Sequence, residues 1–248
     1  MGEKTSSKGA AGMVIALGIA VALLCNWGGS LEGERLKTEI VQESALANGV
    51  PQQNAFQDYE QLPDPMLVLV NEEVPLPESW GFLPFLVDDE VVDRRMAQDL
   101  LSMVQAAEKD GVWLWVASGY RSRERQQVLL DNLIQENREA GMEEVQARKD
   151  ALKTVALPGH SEHETGLAVD FNDVSQQFAD TEAYRWLQER GPEFGFVQRY
   201  LAGKSSVTGV EEESWHYRYV GKENAQEMER LGLCLEEYVL YRKSQGGR

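Results

Sequence analysis

The sequence predicts an α+β fold, a small and mostly antiparallel sheet with flanking helices. Three observations predict it. Apolar residues recur at three- and four-residue steps in some stretches, and short β-branched or aromatic runs stand between those stretches. The two patterns are interspersed without the regular strand–helix–strand rhythm of a parallel sheet. The 248-residue chain is 42% hydrophobic, which is enough to fill a core.

The elements follow in order. Lys4 and Lys8 precede an apolar run over 10–25 that ends at Cys25. This is the pattern of an export signal with a basic flank. Residues 1–27 are expected to form a cytoplasmic stub and an uncleaved signal-anchor helix, which makes the protein single-pass at the cell membrane with its folded part outside. Secretion after signal-peptide cleavage is the alternative. Residues 28–65 are polar and rich in Gly and Pro and are expected to be an extracellular linker. Residues 66–248 form the folded domain.

Within that domain, 66–70 reads as a short strand and a Pro-rich loop follows. The spacing of Val92, Met96, Leu100, Met103 and Ala107 predicts a helix over 88–110, capped by Asp88 or Asp89 and ended by Gly111. Residues 112–116 read as a buried strand. Ser122 caps a helix to about residue 138, with Val128, Leu129, Leu133 and Ile134 on its buried side. Another helix covers 143–155. Strands are expected over 167–171, 194–200 and 214–220, and a helix capped by Asp180 runs to 190. Helices over 222–231 and 235–242 close the chain.

A net charge of -17 argues against a nucleic-acid partner, whose phosphates require a basic face. The two cysteines, Cys25 and Cys234, have no zinc-finger spacing and are not expected to pair.

The chemistry concentrates in two segments, Ser161-Glu162-His163-Glu164-Thr165-Gly166-Leu167-Ala168-Val169-Asp170 and Glu213-Ser214-Trp215-His216. All three histidines of the chain, His160, His163 and His216, lie in or beside them. His163, Asp170 and His216 form a ligand set suited to Zn2+ that leaves one tetrahedral position open. Glu213 is placed to act as general base toward water. It stands three residues before His216, so a regular strand would aim the two side chains apart. Glu213 is therefore expected on a turn or bulge. Gly166 allows the sharp backbone turn that brings Asp170 back beside His163. Arg121, in a loop between a strand and a helix, suits an oxyanion or a peptide carboxylate. Gln126 and Ser161 are further candidates for substrate contact, and His160 is either a supporting residue or an exposed loop histidine.

The pattern Ser161-x-His163-x-x-Gly166-x-Ala168-x-Asp170, with Glu213-x-Trp215-His216, resembles the zinc D-alanyl-D-alanine carboxypeptidases of the VanY type. Ser118-Gly119-Tyr120-Arg121-Ser122, and Leu69-Val70-Asn71 with Pro75-Leu76-Pro77, are also similar to that family. The resemblance covers about residues 66–231. It implies a fold related to the hedgehog signalling domain, His163, Asp170 and His216 as zinc ligands, Glu213 as base and Arg121 on the tetrahedral intermediate. The implied substrate is a peptidoglycan stem peptide ending in D-Ala. An L,D-carboxypeptidase acting on tetrapeptide stems and a peptidoglycan endopeptidase carry the same metal set. A non-catalytic, membrane-tethered wall-binding protein with a structural zinc is the reading from a different class. It conflicts with the open ligand position and the absence of cysteines nearby.

Overall fold

The computed structural model describes residues 64–245, except residue 82. The signal-anchor and nearly all of the linker expected from the sequence lie outside the described residues. Among the described residues no helix is long and apolar enough to cross a membrane.

A hairpin opens the domain, β1 (Pro84–Val87) pairing antiparallel with β2 (Glu90–Asp93). Its turn is made by Asp88 and Asp89, and Asp88 takes a left-handed φ of 53°. The helix expected over 88–110 therefore begins later, as α1 (Arg94–Lys109). The cap is Asp93, whose carboxylate accepts from the Arg95 backbone N–H at 2.8 Å. The apolar spacing belongs to the helix, but Val92 satisfies it from the hairpin, so sequence periodicity ran past the true start. Gly111 ends the helix in a left-handed conformation, as expected. Met96, Leu100 and Met103 are wholly buried along one stripe, each worth about 1.5–3 kcal/mol of burial.

The main sheet has strands β3 (Val116–Ser118), β4 (Ala168–Phe171), β5 (Phe196–Tyr200) and β6 (Glu213–Tyr219) in the order β3-β4-β6-β5. All its pairings are antiparallel, as the sequence predicts. Two strand assignments need correction. Residues 66–70 do not pair: Pro65–Leu67 is a 3-10 turn capped by Asp64, and proline at its first position favours that turn. In 112–116 only the last residue joins the ladder, and Trp113 is 72% exposed. Asn172 holds this segment instead, accepting from Trp115 N–H and donating to Trp113 O.

Beyond β3, Ser122 caps α2 (Arg123–Glu139) by accepting from Arg125 N–H. The buried positions of α2 are Gln126 and Leu130, whereas Val128 is exposed. The helix is thus rotated from the face its aliphatic residues suggest, and it turns an amide toward the interior. The following helix, α3 (Glu144–Ala151), is shorter than expected. Helix α4 (Glu182–Arg190) is capped by Thr181, not Asp180, which belongs to a preceding 3-10 turn. A short α5 (Ser205–Thr208) precedes β6, and α6 (Lys222–Leu231) and α7 (Leu235–Ser244) end the described chain.

One apolar cluster joins α1 and α4 to Val169, Phe171, Phe196, Tyr217 and Tyr219 of the sheet. A second joins Val197 and Val220 to Leu235 and Tyr238. Side chains alternate across a strand, so Asp170 and His216 point away from the face that carries Val169 and Tyr217.

Candidate metal centre

The loop before β4 is held tightly. Residues Glu162–Thr165 form one 3-10 turn with all four residues buried. Thr165 Oγ1 donates to Glu162 O and accepts from Leu167 N–H, Trp80 Nε1 donates to Thr165 O, and Glu164 accepts from Gly159 N–H. Gly166 follows at φ 71°, a conformation glycine adopts freely, and the chain returns as β4. The expected turn behind His163 is therefore present.

β4 and β6 bring Asp170 opposite His216 in direct register. The donor atoms of His163, Asp170 and His216 all lie within 4.8 Å of one another, and all three residues are buried. His163 Nε2 is 3.3 Å from Asp170 Oδ2, and His216 Nδ1 is 3.0 Å from Asp170 Oδ1. The two imidazoles meet edge to face at 4.9 Å between centroids. His163 Nδ1 is 2.7 Å from the Gly119 carbonyl. A carbonyl can only accept, so Nδ1 carries the proton and Nε2 is left with its lone pair toward Asp170.

Glu213 reaches the site through an irregularity. Two steps along β5, from Gln198 to Tyr200, face four along β6, from Tyr217 to Glu213. This bulge sets Glu213 Oε2 3.7 Å from His216 Nδ1, although a regular strand would point the two apart. The sequence placed Glu213 on a turn or bulge, and the bulge lies inside the strand.

Arg121 donates from Nη2 to Asp170 Oδ2 at 3.2 Å, and its other nitrogens lie near Ser118 Oγ and Gln126 Oε1. Gln126 Nε2 donates to Ala156 O, so the buried amide couples Arg121 to the loop after α3. Ser161, Gln126, Arg121, Glu213 and Trp215 line one cleft with the three donor residues, with a volume of about 420 Å³. His160 lines the same cleft, its Nδ1 2.8 Å from Asn71 O.

Two residues here were missed by sequence reasoning. Tyr200 is buried, with its ring 5.0 Å from that of His216. Glu162, adjacent to His163, is wholly buried and accepts from Arg199 Nε and Arg218 Nη1, each at 2.8 Å. A carboxylate next to a motif histidine is no signal by itself; only the two arginines, on β5 and β6, reveal its role.

The electrostatics follow from burial and from these partners. Burial would raise the Asp170 carboxyl, but His163 and His216 hold it well below the usual carboxylate range. Burial would depress the His216 imidazole, yet the Asp170 and Glu162 carboxylates beside it raise it to about 9. Burial depresses His163, and Arg121 adds to that. Burial also raises Glu213, against the opposing pull of His216 and Arg121.

Among the described residues Asp170 Oδ1 is buried without a hydrogen-bond partner despite its 3.0 Å approach to His216. A buried polar atom left unsatisfied costs about 1–3 kcal/mol. A cation bound among the three donors would remove that cost. Two imidazoles and one carboxylate, with no thiolate and an open cleft alongside, suit zinc in a catalytic rather than a structural setting.

A buried His–Asp–His set on the floor of a cleft, with a carboxylate and an arginine beside it, defines a metallopeptidase-type centre. Comparison with known proteins agrees. The VanY D-alanyl-D-alanine carboxypeptidase model matches residues 89–222, and the chain belongs to that family. A D-alanyl-D-alanine carboxypeptidase of Enterococcus faecalis is 44% identical over 174 residues, covering 70% of this chain and 65% of that protein. The match thus spans just under two thirds of that relative's length. Two solved structures of the type are 43% identical: a VanY D,D-pentapeptidase mutant with Zn(II), at TM-score 0.65 over 71% of this chain and 99% of that one, and VanYB with D-alanine-D-alanine, at 0.64 over 70% and 97%. The LdcB LD-carboxypeptidase is 33% identical, at TM-score 0.61 over 72% and 87%.

Proposed function

We propose that this protein is a zinc-dependent D,D-carboxypeptidase that removes the terminal D-alanine from peptidoglycan stem pentapeptides. The observation that carries the reading is the convergence of His163 Nε2, Asp170 and His216 Nδ1 beside Glu213 and Arg121 in one cleft. The relatives crystallised with Zn(II) and with D-alanine-D-alanine support the metal and the substrate class.

His163, Asp170 and His216 would hold the metal. Bound zinc supplies Lewis-acid polarisation of the scissile carbonyl and a more acidic water. Glu213 accepts a proton from the attacking water as its oxygen bonds to the carbonyl carbon. The C–N bond then breaks, and Glu213 returns the proton to the departing D-alanine amine. Burial raises the Glu213 carboxyl, which brings its basicity closer to that needed for this exchange. Arg121 supports the developing oxyanion or the peptide's terminal carboxylate. Gln126 orients Arg121, and Ser161 offers a contact to the peptide.

Sequence alone supports residues 1–27 as an anchor and 28–65 as a tether, which would place the catalytic domain outside the membrane beside its substrate.

The test is incubation of the zinc-loaded protein with a muramyl pentapeptide ending in D-Ala-D-Ala and, separately, with the matching tetrapeptide, with products read by mass. Loss of one alanine from the pentapeptide alone is the expected result. Loss from the tetrapeptide alone would make the enzyme an L,D-carboxypeptidase, the reading that similarity to LdcB favours. No loss from either, with zinc bound, would overturn both.

A further inference from the structure

Behind His216, away from Asp170, lies a buried carboxylate that the reaction does not use. Glu162 Oε2 stands 3.6 Å from His216 Nε2. Both atoms are buried, and among the described residues neither has another hydrogen-bond partner. The other oxygen, Oε1, accepts from both Arg199 and Arg218 at 2.8 Å. Arg218 is held in turn by the Met66 and Val68 carbonyls, and Arg199 by both oxygens of Glu236. The two guanidiniums therefore fix which oxygen of Glu162 faces them and which faces His216.

We propose that Glu162 is a positioning residue for the metal centre: its Oε2 accepts the Nε2 proton of His216, so that Nδ1 presents its lone pair to the metal. The inference rests on His163, Asp170 and His216 being the ligand set. The geometry supplies the reason. A carboxylate oxygen only accepts, so it selects the tautomer protonated at Nε2. His163 is oriented the same way by the Gly119 carbonyl, through its opposite ring nitrogen. The two imidazoles are thus each backed by a fixed acceptor, and their lone pairs converge on Asp170. In Glu162→Gln the two arginines retain the amide oxygen, since both donate. The amide NH2 must then face His216 Nε2, where it favours the tautomer with its proton on Nδ1, aimed at the metal.

The test compares zinc dissociation constants, by chelator competition, for the wild type and for Glu162→Gln, Glu236→Gln and His216→Ala. Glu236→Gln breaks the same buried charge network at Arg199 without touching His216. Glu162→Gln is expected to weaken zinc binding about 10- to 100-fold, while Glu236→Gln stays near the wild type even where its melting temperature falls. Equal loss in both variants, or none in Glu162→Gln, overturns the proposal. Unchanged binding in His216→Ala would instead overturn the ligand assignment beneath it. Nitrogen-15 spectra of the zinc-loaded wild type give a readout free of variants: the His216 proton is expected on Nε2, and a proton on Nδ1 sinks the idea.

Discussion

At the scale of single residues, the site separates two kinds of carboxylate by their surroundings. Asp170 is pinned by two imidazoles and Arg121, which favours its charged form. Burial raises Glu213 against the weaker pull of His216 and Arg121, which suits a group proposed to take up and release a proton. In the proposed mechanism Glu213→Gln keeps the donor set intact but has no base. Zinc content should stay at one ion per chain, by mass spectrometry under native conditions, while kcat falls by about 10²–10⁴. Retained turnover in that variant would move the base elsewhere.

At the scale of elements, the placement of the proposed ligands depends on how strands meet. Gly119, just after β3, shows this best. Its N–H donates to Glu90 Oε2, its carbonyl faces His163 Nδ1, and an added Cβ would fall inside contact distance of the Val91 carbonyl oxygen on β2. Glycine is required there by close backbone approach rather than by a left-handed φ. Gly119→Ala must push β3 away from β2 and carry the acceptor away from His163. A loss of about 1–3 kcal/mol is expected from the forced shift, together with weaker zinc binding, read by chemical denaturation and chelator competition on the same sample. Stability at the wild-type level would mean that the strands separate freely there. The bulge in β6 works at the same scale, because it alone brings Glu213 and His216 to one face.

At the scale of the whole molecule, the sheet divides an apolar side from a charged one. Val169, Phe171 and Tyr217 face α1 and α4, while Asp170, His216 and the Glu162–Arg199–Arg218–Glu236 network occupy the opposite side. Burial would raise the Glu162 carboxyl, but Arg199 and Arg218 overcome it and hold it well below the usual carboxylate range. A depressed folded-state value makes the contribution full above the ordinary carboxyl value of 4.5 and lost as pH falls below it. With metal chelated, the melting temperature should therefore drop steeply on acidification below that value, and less steeply in Glu162→Gln. Identical acid profiles would show that the pair contributes nothing to pH-dependent stability.

The class of fold, the antiparallel character of the sheet, the candidate ligand types and the turn at Gly166 were all legible in the chain, because each depends on local pattern. Periodicity, turn-forming glycine and clustered histidines are read over a few residues. Local pattern misjudged the start of α1, the buried face of α2 and the pairing of 112–116, since a hairpin valine and a helical valine look alike until neighbours cover them. It took the folded chain to set Asp170 opposite His216, to turn Glu213 inward through a bulge, and to seat Glu162 behind His216 with two arginines on its other oxygen. Those facts join segments far apart in the chain, and their physical cause is register, burial and charge compensation across strands, which no local stretch of sequence contains.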